Sequence, residues 1–325
     1  MRVLVTGGTS LLGACVARQL VDRGDSVVAL QRGASNGSWR QVRGDIRDAD
    51  AVDKAMQGVD AVVHLAAKVS VVGDWDDFES VNVAGTQNVL DAVRAHRVGR
   101  VVHVSSPSVA HFGDPLVAAD ATPAEPELAH GHYARSKAMA EQLVLRAADE
   151  SLAVVAVRPH LVWGPGDTQL VGRIVERAAS GRLVLIDGGT ALIDTTYLDN
   201  AADALVAALD SVDEVSGEVF VVSNGEPRTV AELLARMCRA AGVPGPTRSV
   251  SRAVASGAGA VVERAWSTTG RDGEPPMTRF LAEQLSTAHW FDQRRTQERL
   301  GWTPRVSLAE GFERLAAAYH PDHNV

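Results

Sequence analysis

Short apolar runs alternate with helix-period segments through the first half of the chain. Val3-Leu4-Val5, Val27-Val28-Ala29-Leu30, Ala61-Val62-Val63-His64-Leu65, Arg100-Val101-Val102-His103-Val104 and Leu152 to Val157 are almost continuously apolar. That is the pattern of strands buried on both faces of a parallel sheet. Between them, Leu12 to Arg23 carries apolar positions at helical spacing and stops at Gly24, and further helical patterns run from Val81 to Ala95 and from about Tyr133 to Asp149. Such strand–helix repetition predicts a doubly wound α/β sheet with right-handed crossovers.

After Val162 the pattern changes. Gly164-Pro165-Gly166 and Gly188-Gly189 punctuate the chain, Val219-Phe220-Val221-Val222 reads as one more buried strand, and the stretch from Gly242 to Gly273 is rich in small residues with weak periodicity. The expected organisation is a nucleotide-binding domain of residues 1–163 and 190–225. A smaller, discontinuous substrate-binding domain is expected from 164–189 and 226–325.

With 325 residues, 46% of them hydrophobic and 22% charged, the chain has the composition of packed globular domains rather than of disorder. The net charge of −8 argues against nucleic acid or an anionic membrane as the main partner. No apolar run approaches the roughly 18 residues of a membrane span, the softest stretch being Ala253 to Val262. Met1 and Arg2 lead straight into the first apolar run without the pattern of a signal peptide, so a cytoplasmic protein is expected. Cys15 and Cys238 have neither metal nor redox spacing and read as two reduced thiols; no metal set is visible. The basic residues are unevenly chosen. Of 32, only Lys54, Lys68 and Lys137 are lysines, and Tyr133, Tyr197 and Tyr319 are the tyrosines.

The first strand runs into Thr6-Gly7-Gly8-Thr9-Ser10-Leu11-Leu12-Gly13, a tight glycine turn at a helix start. Backbone N–H groups there face an anion, which suits a dinucleotide pyrophosphate. Ser10 stands where the middle glycine of the usual spacing belongs, and its hydroxyl is a possible phosphate ligand. The second strand ends in Gln31-Arg32 rather than in the carboxylate that grips a ribose 2′-hydroxyl. Arg32 is read as accommodating a 2′-phosphate, so NADP(H) is expected in preference to NAD(H), against a plain solvated arginine. Asp45 and Ile46, before the next helix, are expected to meet the adenine, although a helix-capping loop looks much the same.

Tyr133 and Lys137 stand four residues apart on one helix face, a pairing that residue frequencies give by chance about 3% of the time. A nearby ammonium favours phenolate and would lower the phenol from its ordinary value of about 10. Such a phenol can exchange a proton with a carbonyl or hydroxyl oxygen during hydride transfer. The fourth strand ends in Ser105-Ser106-Pro107-Ser108, where a hydroxyl points into the ligand crevice of such sheets; any of these serines can equally cap the loop.

These residues, together with Gly44-Asp45, His64-Leu65-Ala66-Ala67, Asn82-Val83-Ala84-Gly85-Thr86 and Arg158-Pro159, fall in an order that resembles the extended short-chain dehydrogenases, which have a Rossmann fold. The resemblance covers nearly the whole chain. It implies Ser106, Tyr133 and Lys137 as the catalytic triad with Asn82 as a supporting member. It further implies a ribose contact from Lys137, a cofactor channel lined by Leu65, Ala66, Ala67 and Pro159, and a homodimer through the helices at 81–95 and 133–149.

Pro107-Ser108 replaces the Asp-Glu pair typical of nucleotide-sugar dehydratases, and Leu161 stands where sugar-modifying members tend to have Asn. Arg158-Pro159-His160-Leu161-Val162-Trp163-Gly164-Pro165-Gly166-Asp167, Asp194 to Asn200 and Leu300-Gly301-Trp302-Thr303-Pro304 are similar instead to the 3β-hydroxysteroid dehydrogenase branch. The segment from Pro275 to Asp292 is similar, within it, to bacterial 2-alkyl-3-oxoalkanoate reductases. His160, Trp163 and Trp290 are read as core residues first and pocket-shaping ones second, and Tyr197 as structural. The implied activity is interconversion of a ketone and a secondary alcohol on a small hydrophobic substrate. The rivals are a nucleotide-sugar epimerase with the same triad and a non-catalytic NADP-binding sensor or scaffold.

Overall fold

The computed structural model describes residues 1–70, 72–269 and 278–320. Seven strands form one all-parallel sheet: β1 (Arg2–Thr6), β2 (Ser26–Gln31), β3 (Arg40–Arg43), β4 (Ala61–His64), β5 (Arg100–Val104), β6 (Ala153–Pro159) and β7 (Val219–Val222). Their order is β7-β6-β5-β4-β1-β2-β3, so the strand order reverses between β1 and β4 and opens the ligand crevice at that switch point. The apolar runs became buried strands, as their lack of a polar face requires. The exception is β3, whose sequence Arg-Gln-Val-Arg buries only Val42; an edge strand needs no apolar run, so none announced it.

Helices cover both faces. On one, α1 (Leu11–Asp22) and α5 (Leu198–Asp210) pack Val16, Leu20, Leu205 and Leu209 against Val3, Val5 and Val63. On the other, α2 (Ala49–Met56), α3 (Gly85–Ala95) and α4 (Gly131–Arg146) pack Met56, Val89, Val93 and Val144 against Leu4, Val62 and Val101. The pattern read as one helix over 81–95 is in fact two pieces, a π-helical turn at Glu79–Ala84 followed by α3. The expected helix at 133–149 begins two residues earlier and ends at Arg146.

A second sheet takes Arg228–Thr229, Leu192–Ile193, His289–Phe291 and Leu116–Ala119 in that order. Beside it, Trp163 stacks on Phe312 at 4.6 Å between ring centres and donates from Nε1 to Thr195 Oγ1 at 3.0 Å. Trp163 and Tyr197 are therefore core residues with satisfied surroundings. The weakly periodic stretch holds a helix, Arg252–Thr269. Exposed Val254 and Val261 and buried Ala255 and Gly259 place small or apolar residues on both of its faces, which flattens the contrast a period needs. No helix among the described residues is long and apolar enough to cross a membrane.

Candidate active site

The glycine turn is built by close backbone approach. Gly7 adopts φ +76°, and a Cβ there would stand 3.1 Å from the Ala66 backbone; one on Gly8 would stand 2.8 Å from Ala29 Cβ and Gln31 Oε1. Ser10 is the N-cap of α1: its hydroxyl accepts from the Gly13 N–H at 3.0 Å and donates to the Gly7 carbonyl at 2.8 Å. Its own N–H also goes to that carbonyl, at 2.9 Å. The hydroxyl expected to reach a phosphate is thus engaged in shaping the turn, because the missing glycine's place is taken by a cap. The first N–H groups of α1, on Leu11 and Leu12, have no intrahelical acceptor, and Thr9 just before them is exposed. A turn closed to side chains and a helix end with free donors fit a dinucleotide pyrophosphate.

At the end of β2, Gln31 is buried and Arg32 exposed. Gln31 Nε2 donates to Gln41 Oε1 at 2.9 Å, and Gln41 in turn holds Ser35 through its N–H at 3.0 Å and its carbonyl at 2.7 Å, which pins the loop after β2. Arg32 lies close enough to help hold Asp45 below the usual carboxylate range, after the larger effects of Arg47. Arg47 takes the Asp45 carboxylate in a fork at 3.1 and 2.9 Å, so the group expected to meet adenine is occupied by its neighbour two residues on. Ile46 is buried in the helix-covered core against Gly85, whose missing side chain makes room for it. Leu65, Ala66 and Ala67 follow β4 half-buried, and Pro159 ends β6 opposite Val222, both at the same sheet edge.

The catalytic candidates converge there. Ser106 caps the short 3-10 turn Pro107–Ala110, bonding Ser108 Oγ at 2.9 Å and the Ser108 N–H at 3.3 Å, and it lies close enough to the Tyr133 phenol to act on it. That proximity singles out Ser106 among the serines; the Ser105 hydroxyl is buried without a hydrogen-bond partner among the described residues. Tyr133 is half-buried, and burial is the largest influence on it, pushing the phenol above 10; the nearby Ser106 hydroxyl works the other way. Lys137 is 3% exposed, and its ammonium donates to the Val104 carbonyl at 2.6 Å. Burial pulls it down to about 8, with Glu141 opposing. The expected lowering of the phenol by Lys137 is not found: burial raises the phenol, Ser106 opposes burial only in part, and the Lys137 ammonium donates to the Val104 carbonyl.

Asn82 sits in the π-helical turn, where its Nδ2 reaches Ser136 Oγ at 2.9 Å and the Lys68 carbonyl at 3.1 Å, and its Oδ1 accepts from the Lys68 N–H at 2.6 Å. It ties the Lys68 loop to the helix that carries Tyr133. Lys68 itself has a backbone role there and an ion pair with Asp77 at 2.6 Å.

Two arrangements had no sequence signal. Thr6 Oγ1 accepts from the Leu65 and Ala66 N–H groups and bonds His64 Nδ1 at 2.7 Å; His64 Nε2 bonds Thr86 Oγ1 at 2.9 Å, and Thr86 donates to the Asn82 carbonyl at 2.7 Å. With both lone pairs of Thr6 engaged, its proton goes to Nδ1, so Nε2 carries the imidazole hydrogen. Burial holds His64 near 3 and hence neutral. The other is Arg158, whose partner Glu141 lies on α4 and is fully buried. His160 is packed edge-on to His289 at 4.9 Å and to Phe291 at 5.1 Å, as a core histidine. Pro275, Pro276 and Met277 lie outside the described residues. Among the described residues, no group of three or more His, Cys, Asp or Glu is arranged to hold a metal ion.

A family model described as the 3-beta hydroxysteroid dehydrogenase/isomerase family matches residues 4–251. The chain belongs to that family. Two relatives called 2-alkyl-3-oxoalkanoate reductase are similar along its length. That of Stenotrophomonas maltophilia is 44% identical, with 98% of this chain and 99% of the relative covered. That of Shewanella oneidensis is 37% identical, with 97% and 85% covered. The solved structure of Thermus thermophilus UDP-glucose 4-epimerase in complex with NAD is 26% identical with a TM-score of 0.75, covering 99% of this chain and 100% of that one. As a member of the 3-beta hydroxysteroid dehydrogenase/isomerase family, this protein is an oxidoreductase of the extended short-chain type, acting on hydroxyl or keto groups.

Proposed function

We propose that this protein is an NADPH-dependent ketoreductase that reduces the 3-oxo group of a hydrophobic 2-alkyl-3-oxoalkanoate. The observation that carries the reading is the placement of Tyr133 near Ser106, which caps the turn after β5, and one helical turn from Lys137, whose buried ammonium donates to the Val104 carbonyl at 2.6 Å. The substrate class rests on the name of the 44% identical relative and on Pro107-Ser108, which offers no acid–base pair for dehydration. The preference for NADPH rests on Gln31-Arg32.

In this reading Gly7, Gly8, Thr9, Ser10, Leu11, Leu12 and Gly13 cradle the pyrophosphate, and Arg32 meets the 2′-phosphate. A bound nicotinamide supplies the hydride. Ser106 donates to the substrate oxygen and turns it towards Tyr133. The phenol then gives that oxygen its proton, so that carbonyl plus hydride plus proton balance as alcohol. Phenolate left behind is favoured by Ser106 and by the charge of Lys137, which also holds the ribose. Asn82 keeps the Tyr133 helix in place through Ser136. The division into residues 1–163 with 190–225 and 164–189 with 226–325, the cytoplasmic location and a homodimer through α3 and α4 belong to the same proposal.

The test is NADPH oxidation against hydrophobic β-keto acids, simple ketones and 3-ketosteroids, with NADH in parallel. Turnover of β-keto acids with NADPH is expected; a strong NADH preference would overturn the role of Arg32. The likeness to the epimerase favours one second reading, a nucleotide-sugar epimerase. Thermal stabilisation by UDP- or dTDP-sugars, with none by β-keto acids, would decide for it.

A further inference from the structure

Glu141 lies one turn beyond Lys137 on the buried face of α4 and is fully enclosed, as is Arg158 at 1% exposure. The guanidinium grips the carboxylate in a fork, Nε to Oε2 at 2.9 Å and Nη2 to Oε1 at 2.5 Å, and donates its third contact from Nη1 to the Thr122 carbonyl at 2.8 Å. The segment after Thr122 is held further, by Gln142 Nε2 on the Ala124 carbonyl at 2.9 Å and by the Glu125 N–H on the Val109 carbonyl at 3.1 Å. One ion pair thus ties together the helix of Tyr133 and Lys137, the strand end at Pro159, and the turn that Ser106 caps.

Removing two charges from water is costly even when they are paired, and an apolar pair of similar volume is often as stable or more so. Packing alone therefore does not call for charge here. The surroundings of Lys137 suggest what does. Its neighbours with titratable groups are His64 on β4, His103 on β5, Tyr133 one turn earlier and Glu141 one turn later. Burial keeps both histidines neutral and the phenol protonated, whereas the Glu141 carboxylate is ion-paired with Arg158.

We propose that the Glu141–Arg158 pair is a positioning unit for Lys137, in which Arg158 holds the Glu141 carboxylate in the buried interior one helical turn from the Lys137 ammonium. Glu141 touches neither substrate nor cofactor and acts through Lys137. The inference rests on the reading of Lys137 as the working lysine of the proposed reductase.

The scarcity of lysine makes the test direct. With the lysine side-chain nitrogens labelled with 15N, only Lys54, Lys68 and Lys137 contribute, and Lys137→Arg identifies the third signal. Lys137 is expected to titrate near 8 in the natural protein. In Glu141→Gln it is expected to titrate about one pH unit lower or more, with the alkaline limb of kcat moving down alongside. Where that variant fails to fold, the double variant Glu141→Leu, Arg158→Met keeps the volume without a stranded charge and is expected to show the same downward move. An unchanged Lys137 titration in either folded variant overturns the proposal. A titration that moves while the rate profile stays put upholds the pairing and overturns the catalytic reading of Lys137.

Discussion

Replacing Tyr133 by Phe removes one oxygen and little else. The phenol is half-buried near Ser106, whose hydroxyl keeps the Ser108 N–H at 3.3 Å and Ser108 Oγ at 2.9 Å. No buried group is stranded, so the stability cost should stay within about 1 kcal/mol, the net value of one ordinary hydrogen bond. The glycine turn, Arg32 and Lys137 are untouched, so NADPH should bind as before. What is lost is the proton donor. A positioned acid is worth about 10²–10⁴-fold in rate, or about 3–5 kcal/mol at 1.36 kcal/mol per decade. The assay is steady-state NADPH oxidation with a β-keto acid, run beside a fluorescence titration of NADPH and a thermal melt. The expected pattern is a fall in kcat of that size with the nucleotide Kd and Tm nearly unchanged. A kcat within about threefold of the natural protein would refute the assignment of Tyr133 as the acid.

The same geometry sets three further outcomes. Gly13→Ala places a Cβ over the Gly7 carbonyl and 2.9 Å from Ser10 Oγ. It should break the cap and weaken NADPH binding by about tenfold or more, read by fluorescence titration, since displaced donors no longer converge on the pyrophosphate. Arg32→Ala should raise KM for NADPH by about tenfold or more while leaving KM for NADH nearly as it was, as expected of a charge-assisted phosphate contact; equal effects on both would remove the arginine from the 2′-phosphate site. His103 is fully buried with neither ring nitrogen bonded, and burial holds it well below 6.5. Because its folded value is depressed, the unfolded chain binds more protons below about 6.5, so its contribution to stability is present above that pH and is lost as pH falls. His103→Leu should therefore be neutral or stabilising by about 1 kcal/mol at pH 7 and more so at pH 5, followed by urea unfolding; a loss of more than about 2 kcal/mol at pH 7 would contradict it.

How much of the fold and the site is legible in residue order differs from one feature to the next. Strands buried on both faces advertise themselves as apolar runs, whereas β3, at the sheet edge, buries only Val42 and did not. The Tyr133–Lys137 pair was visible because four residues is one helical turn, and the glycine turn because backbone proximity excludes side chains. The π-helical turn under Asn82 left no mark, and the Ser136 that Asn82 bonds lies 54 residues away. Arg158 was noticed as part of a motif without its partner, since Glu141 reads in sequence as any solvated helix carboxylate.

The doubly wound sheet, the glycine turn at α1 and the Tyr–Lys spacing were therefore legible in the chain, because each shows as a pattern of residue types close together in sequence. Tertiary structure alone decided which serine meets Tyr133, that Ser10 caps the turn with its own hydroxyl, and that Asp45 is already held by Arg47. It also decided the electrical surroundings of Lys137. Its burial comes from α4 packing on the sheet, and the carboxylate that opposes this burial is held by an arginine from a different strand. Charge in a protein interior is set by what folding brings within a few ångströms, and that distance is not written in residue order.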